Sequence, residues 1–165
     1  MTFCRCKVLD PIDQRIVEKL SDNGRISLTE LSDGAELSRV AIANRIEKLI
    51  QNGLLKVSAM LNLDRLNYQT LIVELQIENG KRQEFNKLLS DCPKVMQAFE
   101  TTGQFNHMLV CSSKSSNSLR RFVDDVLKKF AKDCRVTMAS NPIGAGFTHI
   151  KSYKECDHCK KLKIE

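Results

Sequence analysis

The sequence predicts an α+β chain in two parts, an N-terminal winged helix-turn-helix followed by a ferredoxin-like βαββαβ domain. Three observations carry that prediction. Three capped helices with apolar stripes lie before Gly53, apolar and polar residues alternate just after it, and residues 70–154 follow the order strand, helix, strand, strand, helix, strand. The implied boundaries are 1–63 for the first domain, 64–69 for a linker, 70–154 for the second domain and 155–165 for a Cys/Lys-rich tail.

The first helix opens at Leu9-Asp10-Pro11, where Asp10 caps, Pro11 fits the first turn and Asp13 adds negative charge to it. Ile12, Ile16, Val17 and Leu20 recur at helical spacing until Asn23-Gly24. Ser27-Leu28-Thr29-Glu30 is a capping box for a short second helix that buries Leu28, Leu31 and Ala35. Ser38 caps a third helix with the stripe Ala41, Ile42, Ile46, Leu49 and Ile50, stopped by Asn52-Gly53. Leu55, Val57, Ala59 and Leu61 then alternate with polar or less buried positions, as a half-buried wing strand does.

Composition sets the class. Of 165 residues, 42% are apolar and 28% charged, the balance of a folded globular chain. No apolar run reaches the roughly 18 residues that a membrane span needs. The first residues contain no apolar signal core, so a cytoplasmic protein without membrane partners is expected. Net charge is +6, distributed as +1 over 1–63, +3 over 64–147 and +2 over 148–165. A polyanion would therefore have to meet a local patch rather than a generally basic domain.

That patch lies around the third helix. Between Leu37 and Lys56 there are four basic residues and one acidic residue. Arg39, Val40, Ala43, Asn44 and Lys48 fall off the apolar stripe, with Arg45 on its border. The major groove of DNA admits one helix whose first side chains reach base edges. Arg39 suits guanine, Asn44 suits adenine, and Lys48 and Lys56 suit phosphates. The helix N-terminus at Ser38 offers free N–H groups to a further phosphate, and Ser27 completes the candidate DNA-contacting set. The competing reading is that Arg39, Asn44 and Lys48 are only the solvated side of a core helix.

Leu9-Asp10-Pro11-Ile12-Asp13, Asn23-Gly24-Arg25-Ile26-Ser27, Leu37-Ser38, Arg45-Ile46 and Gly53-Leu54-Leu55 resemble the leucine-responsive (Lrp/AsnC, or feast/famine) transcription regulators, in an archaeal-like form. The resemblance is strong over residues 8–66. It implies a DNA-binding regulator, homodimeric or larger, that presents two third helices to half-sites one turn apart on double-stranded DNA. Two positions depart from the family, which usually has glycine in place of Glu36 and near Asn67; both favour a positive φ.

In the second domain, residues 70–77 place Leu71, Val73, Leu75 and Ile77 on one face. Phe85, Leu88, Leu89 and Cys92 follow at helical spacing. Residues 95–102 and 105–112 form a strand pair turning at Thr102-Gly103-Gln104, and Leu119, Phe122, Val123, Val126, Leu127 and Phe130 mark the second helix. The last strand begins near Cys134 and either ends by Met138 or resumes at 147–153. Resemblance to the regulators implies amino-acid sensing and oligomerisation here, with sheets of two subunits packed together. Their common T-G-x-x-D motif aligns with Thr101, Thr102, Gly103, Gln104, Phe105 and Asn106, the candidate effector-binding residues. Asn106 replaces the carboxylate and cannot attract an ammonium group electrostatically. A plain tight turn with Gly103 at positive φ explains the same residues. The turn-rich stretch 141–146 either borders an effector pocket or is a surface loop.

Seven cysteines are present. Cys92, Cys111 and Cys134 sit among apolar neighbours as small core residues. Cys156 and Cys159 have zinc-knuckle spacing around His158, and Cys4 and Cys6 offer two more sulfurs. Zinc, a disulfide and free thiols all remain open for them. No cofactor is firmly implied beyond a small effector such as an amino acid. Two other functions are weighed against a non-enzymatic regulator. One is a haem-pathway (siroheme-type) decarboxylase, since such enzymes resemble the regulators in both domains, with His107 as the residue to invoke. The other is an architectural DNA-binding protein of low specificity.

Overall fold

The computed structural model describes residues 9–34, 37–139 and 147–149, with the side chains of Phe147 and His149 excepted. The chain divides into two compact units after Ser58.

The first unit is built from α1 (Pro11–Asp22), α2 (Leu28–Ser32) and α3 (Arg39–Gln51). Asp10 Oδ1 accepts the Asp13 N–H at 2.8 Å, and Ser27 and Glu30 close the expected capping box. Ile16, Leu31 and Ile42 form the buried centre, with Ile12, Leu20, Ile26, Leu37 and Ile46 packed around it. Two expected core residues are outside it: Leu28 is 40% exposed and Ile50 46%. A five-residue helix has room for one inward position, which Leu31 takes. Ala35 and Glu36 lie outside the described residues.

The wing differs from expectation. Residues 55–59 form no strand, Val57 is 52% exposed, and pairing begins only at β1 (Met60–Asn62). Alternation supplies a half-apolar face but no partner. The partner is β6 (Phe147–His149), antiparallel with Leu61 opposite Thr148, so β1 belongs to the second unit. The stretch expected as a linker contains a closed turn in which the Asn67 N–H meets the Asp64 carbonyl at 2.8 Å. Asn67 sits at φ 57°, in the left-handed region where glycine is the usual residue and asparagine is tolerated.

The second unit adds β2 (Gln69–Ile77), α4 (Arg82–Asp91), β3 (Val95–Glu100), β4 (His107–Ser113), α5 (Ser116–Arg121) and β5 (Ala131–Ala139). Four strands form one antiparallel sheet in the order β3-β4-β2-β5, the ferredoxin-like arrangement expected. Leu71, Val73, Leu75 and Ile77 all point into the core, where they meet Phe85, Leu89, Leu109, Cys111, Leu119 and Phe122. The second helix is less regular than its periodicity suggests. After Arg121 it widens into a π-helical turn (Phe122–Val126) and tightens into a 3₁₀ turn (Leu127–Lys129). The wider turn lets Phe122, Val123, Val126 and Leu127 all be buried. On the opposite sheet face Ile72 and Phe99 are exposed, and Glu74 pairs with Arg135 at 3.3 Å.

Candidate functional site

α3 is held from two sides. Its N-terminus is closed by Ser38, whose Oγ accepts the Ala41 N–H at 3.2 Å. The turn before it is fixed by α1: Arg15 donates to the carbonyls of Asp33, at 2.9 Å, and Gly34, while Lys19 donates to that of Glu30 at 2.8 Å. Gly34 has φ +70°, and a Cβ there would stand 3.0 Å from the Arg15 guanidinium. Gly34→Ala is therefore expected to cost the helical unit about 1–2 kcal/mol in urea unfolding, from backbone strain plus displacement of Arg15. Sequence reading gave neither Arg15 nor Gly34 a role in positioning α3. The available signal was an arginine one position from the buried Ile16.

Arg45 is positioned differently from the other candidates. Its Nη1 lies 2.6 Å from Asp10 Oδ2 and 2.8 Å from Asp13 Oδ1, tying α3 to the start of α1. The Asp13 N–H and then Arg45 hold the Asp10 carboxyl below its usual range, while the two carboxylates push the Arg45 guanidinium up. Arg45 thus serves first as a strut. Ser27 is likewise committed: its hydroxyl donates to Glu30 at 2.7 Å while accepting the Glu30 N–H. The remaining candidates face outward. Arg39, Asn44, Lys48 and Lys56 are exposed, Val40 is 69% exposed, and Ala43 is half-buried. Asn44 and Lys48 also line a groove of about 670 Å³ that includes Asp10, Asp13 and Asn52.

The 101–106 hairpin is closed by its own chain. The Thr101 N–H meets the Asn106 carbonyl at 2.9 Å, and the Thr101 hydroxyl donates to the Phe105 carbonyl at 2.7 Å. Gly103 takes φ +107°, as the turn reading requires, with Thr102 and Gln104 exposed beside it. Arg135 stacks on Phe105 with its guanidinium carbon 4.8 Å from the ring centre. Asn106 is engaged internally. Its Nδ2 donates to the Ile77 carbonyl at 2.8 Å, and its Oδ1 accepts the Ile77 N–H at 2.9 Å. The amide copies a strand residue and prolongs the β2–β4 ladder beyond Leu75.

His107 is 1% exposed and also contacts Asn106, with Nδ1 2.8 Å from Oδ1. Burial lowers its pKa from the usual 6.5; Glu100 opposes that shift and Arg82 adds to it. Cys92 and Cys111 are buried as expected, whereas Cys134 is half-buried, and burial pushes its thiol up. Among the described residues no group of three His, Cys, Asp or Glu side chains is placed to hold a metal. Cys4, Cys6, Cys156, His158, Cys159 and the 141–146 stretch lie outside them.

Comparison with known proteins decides the family. Residues 9–50 match the AsnC-type helix-turn-helix domain, and residues 70–142 match the Lrp/AsnC ligand binding domain. The HTH-type transcriptional regulator FL11 of Pyrococcus furiosus is 31% identical over 121 residues, covering 72% of this chain and 80% of its own. The chain belongs to the Lrp/AsnC family.

Solved Lrp/AsnC-like folds agree. Transcriptional regulator NMB0573 of Neisseria meningitidis, solved in complex with L-Met, superimposes with a TM-score of 0.72 at 24% identity over 94% of this chain and 99% of its own. LrpC of B. subtilis gives 0.71 at 21% identity over 84% and 99%. The protein is an Lrp/AsnC-type transcription regulator with a ligand-binding domain. Neither the decarboxylase nor the low-specificity architectural alternative is favoured, since the relatives bear the names of transcription regulators. No helix among the described residues is long and apolar enough to cross a membrane.

Proposed function

We propose that this Lrp/AsnC protein is a cytoplasmic, sequence-specific DNA-binding regulator that works without enzymatic activity and reads bases with the outer side of α3. The observation that carries this reading is the division of α3 into two sides. Ile42 and Leu49 are buried, whereas Arg39, Val40, Asn44 and Lys48 are exposed on a helix braced by Arg45. Arg39 and Asn44 contact base edges, Lys48 and Lys56 contact phosphates, and Val40 and Ala43 supply apolar contact. Ser27 and Arg45 act on DNA indirectly, by fixing the helices that carry the others.

Dimerisation through the uncovered sheet face would cover Ile72 and Phe99 and set two α3 helices at half-site spacing. The ligand-binding domain and the L-Met complex of the Neisseria relative support an amino-acid effector. The 101–106 hairpin would bind it through Thr102, Gly103 and Gln104, because Thr101, Phe105 and Asn106 are engaged internally.

Selection of bound DNA from a random library at two salt concentrations tests the DNA reading. Arg39→Ala is expected to relax base preference at one position, costing about 1–3 kcal/mol there. Lys56→Ala is expected to weaken every sequence alike and to flatten the salt dependence. Parent-like selection by both variants would remove α3 from the interface.

A further inference from the structure

A cleft of about 400 Å³ opens between α4 and β3 at the base of the 101–106 turn, with Glu100 and His107 in its lining. Two side-chain amides present oxygens to the His107 ring. Asn106 Oδ1 lies 2.8 Å from Nδ1, and this orientation is fixed because the same amide pairs with both backbone groups of Ile77. Asn86 Oδ1 lies 3.3 Å from Nε2, and its orientation is fixed because Nδ2 donates to Glu100 Oε1 at 2.8 Å, a carboxylate oxygen that can only accept. Glu100 Oε1 is itself 4.0 Å from Nε2.

A neutral imidazole has one N–H, and the short contact to Asn106 assigns it to Nδ1. The Nε2 lone pair then faces an oxygen lone pair, with a carboxylate beside both. Among the described residues the two polar atoms that meet Nε2 are thus oxygens that only accept. A proton on Nε2 would supply a donor, but burial opposes the charge. The charged groups acting on the ring are Glu100 from β3 and Arg82 from α4. From β2, Leu75 pairs with His107 and Ile77 is joined to it through Asn106, and the Phe85 ring of α4 meets it edge-on at 5.3 Å.

The cleft walls include Leu89, Met96 and Ala98, and its lining residues include no Lys or Arg. We propose that the cleft binds a small ammonium-bearing apolar molecule, a short alkylamine, whose N–H groups bridge His107 Nε2, Asn86 Oδ1 and Glu100 while its chain lies on the apolar wall. An ammonium brings three donors and the charge that Glu100 complements. An alcohol brings one donor and no charge. An α-amino acid would set its carboxylate beside Glu100 without a cation in the lining to receive it. The site adjoins the hairpin through Glu100 and His107 and differs from an amino-acid site there in the charge it accepts, and it stands or falls independently of base reading by α3.

The test is titration of the full chain at pH 7.5 with n-butylamine, n-butanol and L-norleucine, following the imidazole nitrogens of His107 by NMR. The expected result is saturable binding of n-butylamine that moves Nε2 more than Nδ1, with n-butanol and L-norleucine at least tenfold weaker. Glu100→Gln keeps an acceptor for Asn86 and removes the charge, and it is expected to weaken n-butylamine at least tenfold with little change in melting temperature. Acidification is expected to weaken n-butylamine over the pH range in which His107 itself titrates, because proton and amine compete for Nε2. The proposal is overturned if n-butylamine leaves His107 unmoved, if either comparison compound binds as tightly, or if E100Q binds like the parent.

Discussion

Asn106→Asp is expected to destabilise the ligand-binding domain by about 3 kcal/mol at pH 7, although it completes the T-G-x-x-D motif that this hairpin resembles. The loss follows from the two bonds to Ile77. An aspartate can still accept the Ile77 N–H, but where Nδ2 donated it sets a second acceptor against the Ile77 carbonyl. A lost bond and an unpaired, half-buried carbonyl cost about 1–3 kcal/mol, and more when one group is charged. Protonation repairs the defect, because a carboxylic acid regains one donor. The folded-state pKa of the carboxyl introduced in N106D is expected to lie above the unfolded value of about 3.9, with the clash against the Ile77 carbonyl outweighing the Ile77 N–H and His107 Nδ1 that favour the carboxylate. The native variant then holds the extra proton, so the deficit is smallest below the unfolded pKa and grows to its full size as pH rises through the folded pKa. Urea unfolding of parent and variant at pH 7 and pH 4.5 checks this: the gap should narrow at the lower pH. An equal gap at both would mean that the amide bridge carries no weight.

Much of this fold was legible in the sequence because its signals are local. Asp10, Ser27 and Ser38 cap the helices they precede, for each needs only a short side-chain oxygen and an N–H three residues on. The alternation of Leu71, Val73, Leu75 and Ile77 states which face of β2 is buried. What stayed hidden depends on distant partners. Residues 55–61 alternate like a strand, yet pairing waits for β1 to meet residues 147–149. The hairpin motif was visible, but the engagement of Asn106 with Ile77, 29 positions earlier, was not. Arg45 read as a border residue of a DNA-facing helix, and only folding brings Asp10 and Asp13 to it across 35 and 32 positions. The acceptor cluster at His107 joins α4, β3 and β4, and no spacing along the chain announces it.

Phe85→Ala is expected to cost the ligand-binding domain about 4 kcal/mol, the largest loss foreseen for a single substitution in this chain. Phe85 is fully buried on α4, edge-on to His107 at 5.3 Å and tilted against Phe130 at 5.4 Å. Removing the ring forfeits its transfer free energy and leaves a cavity that β2 and β4, paired along seven positions, cannot close around. Phe85→Leu refills most of that volume and should cost about 1 kcal/mol. The damage should stay within the second unit, since Ile16, Leu31 and Ile42 form a core of their own. Hydrogen exchange of the parent and F85A separates the two: protection should fall across β2, β4 and α4 while α1 and α3 keep theirs. Equal loss in α3 would mean that the helical unit relies on the sheet for its stability. The same variant opens the wall beside His107, so water gains access to the ring and its pKa should rise toward 6.5, from the depressed value that burial imposes. A ring that titrates unchanged in F85A would show that Asn86, Asn106 and Glu100, rather than the aromatic wall, set its protonation.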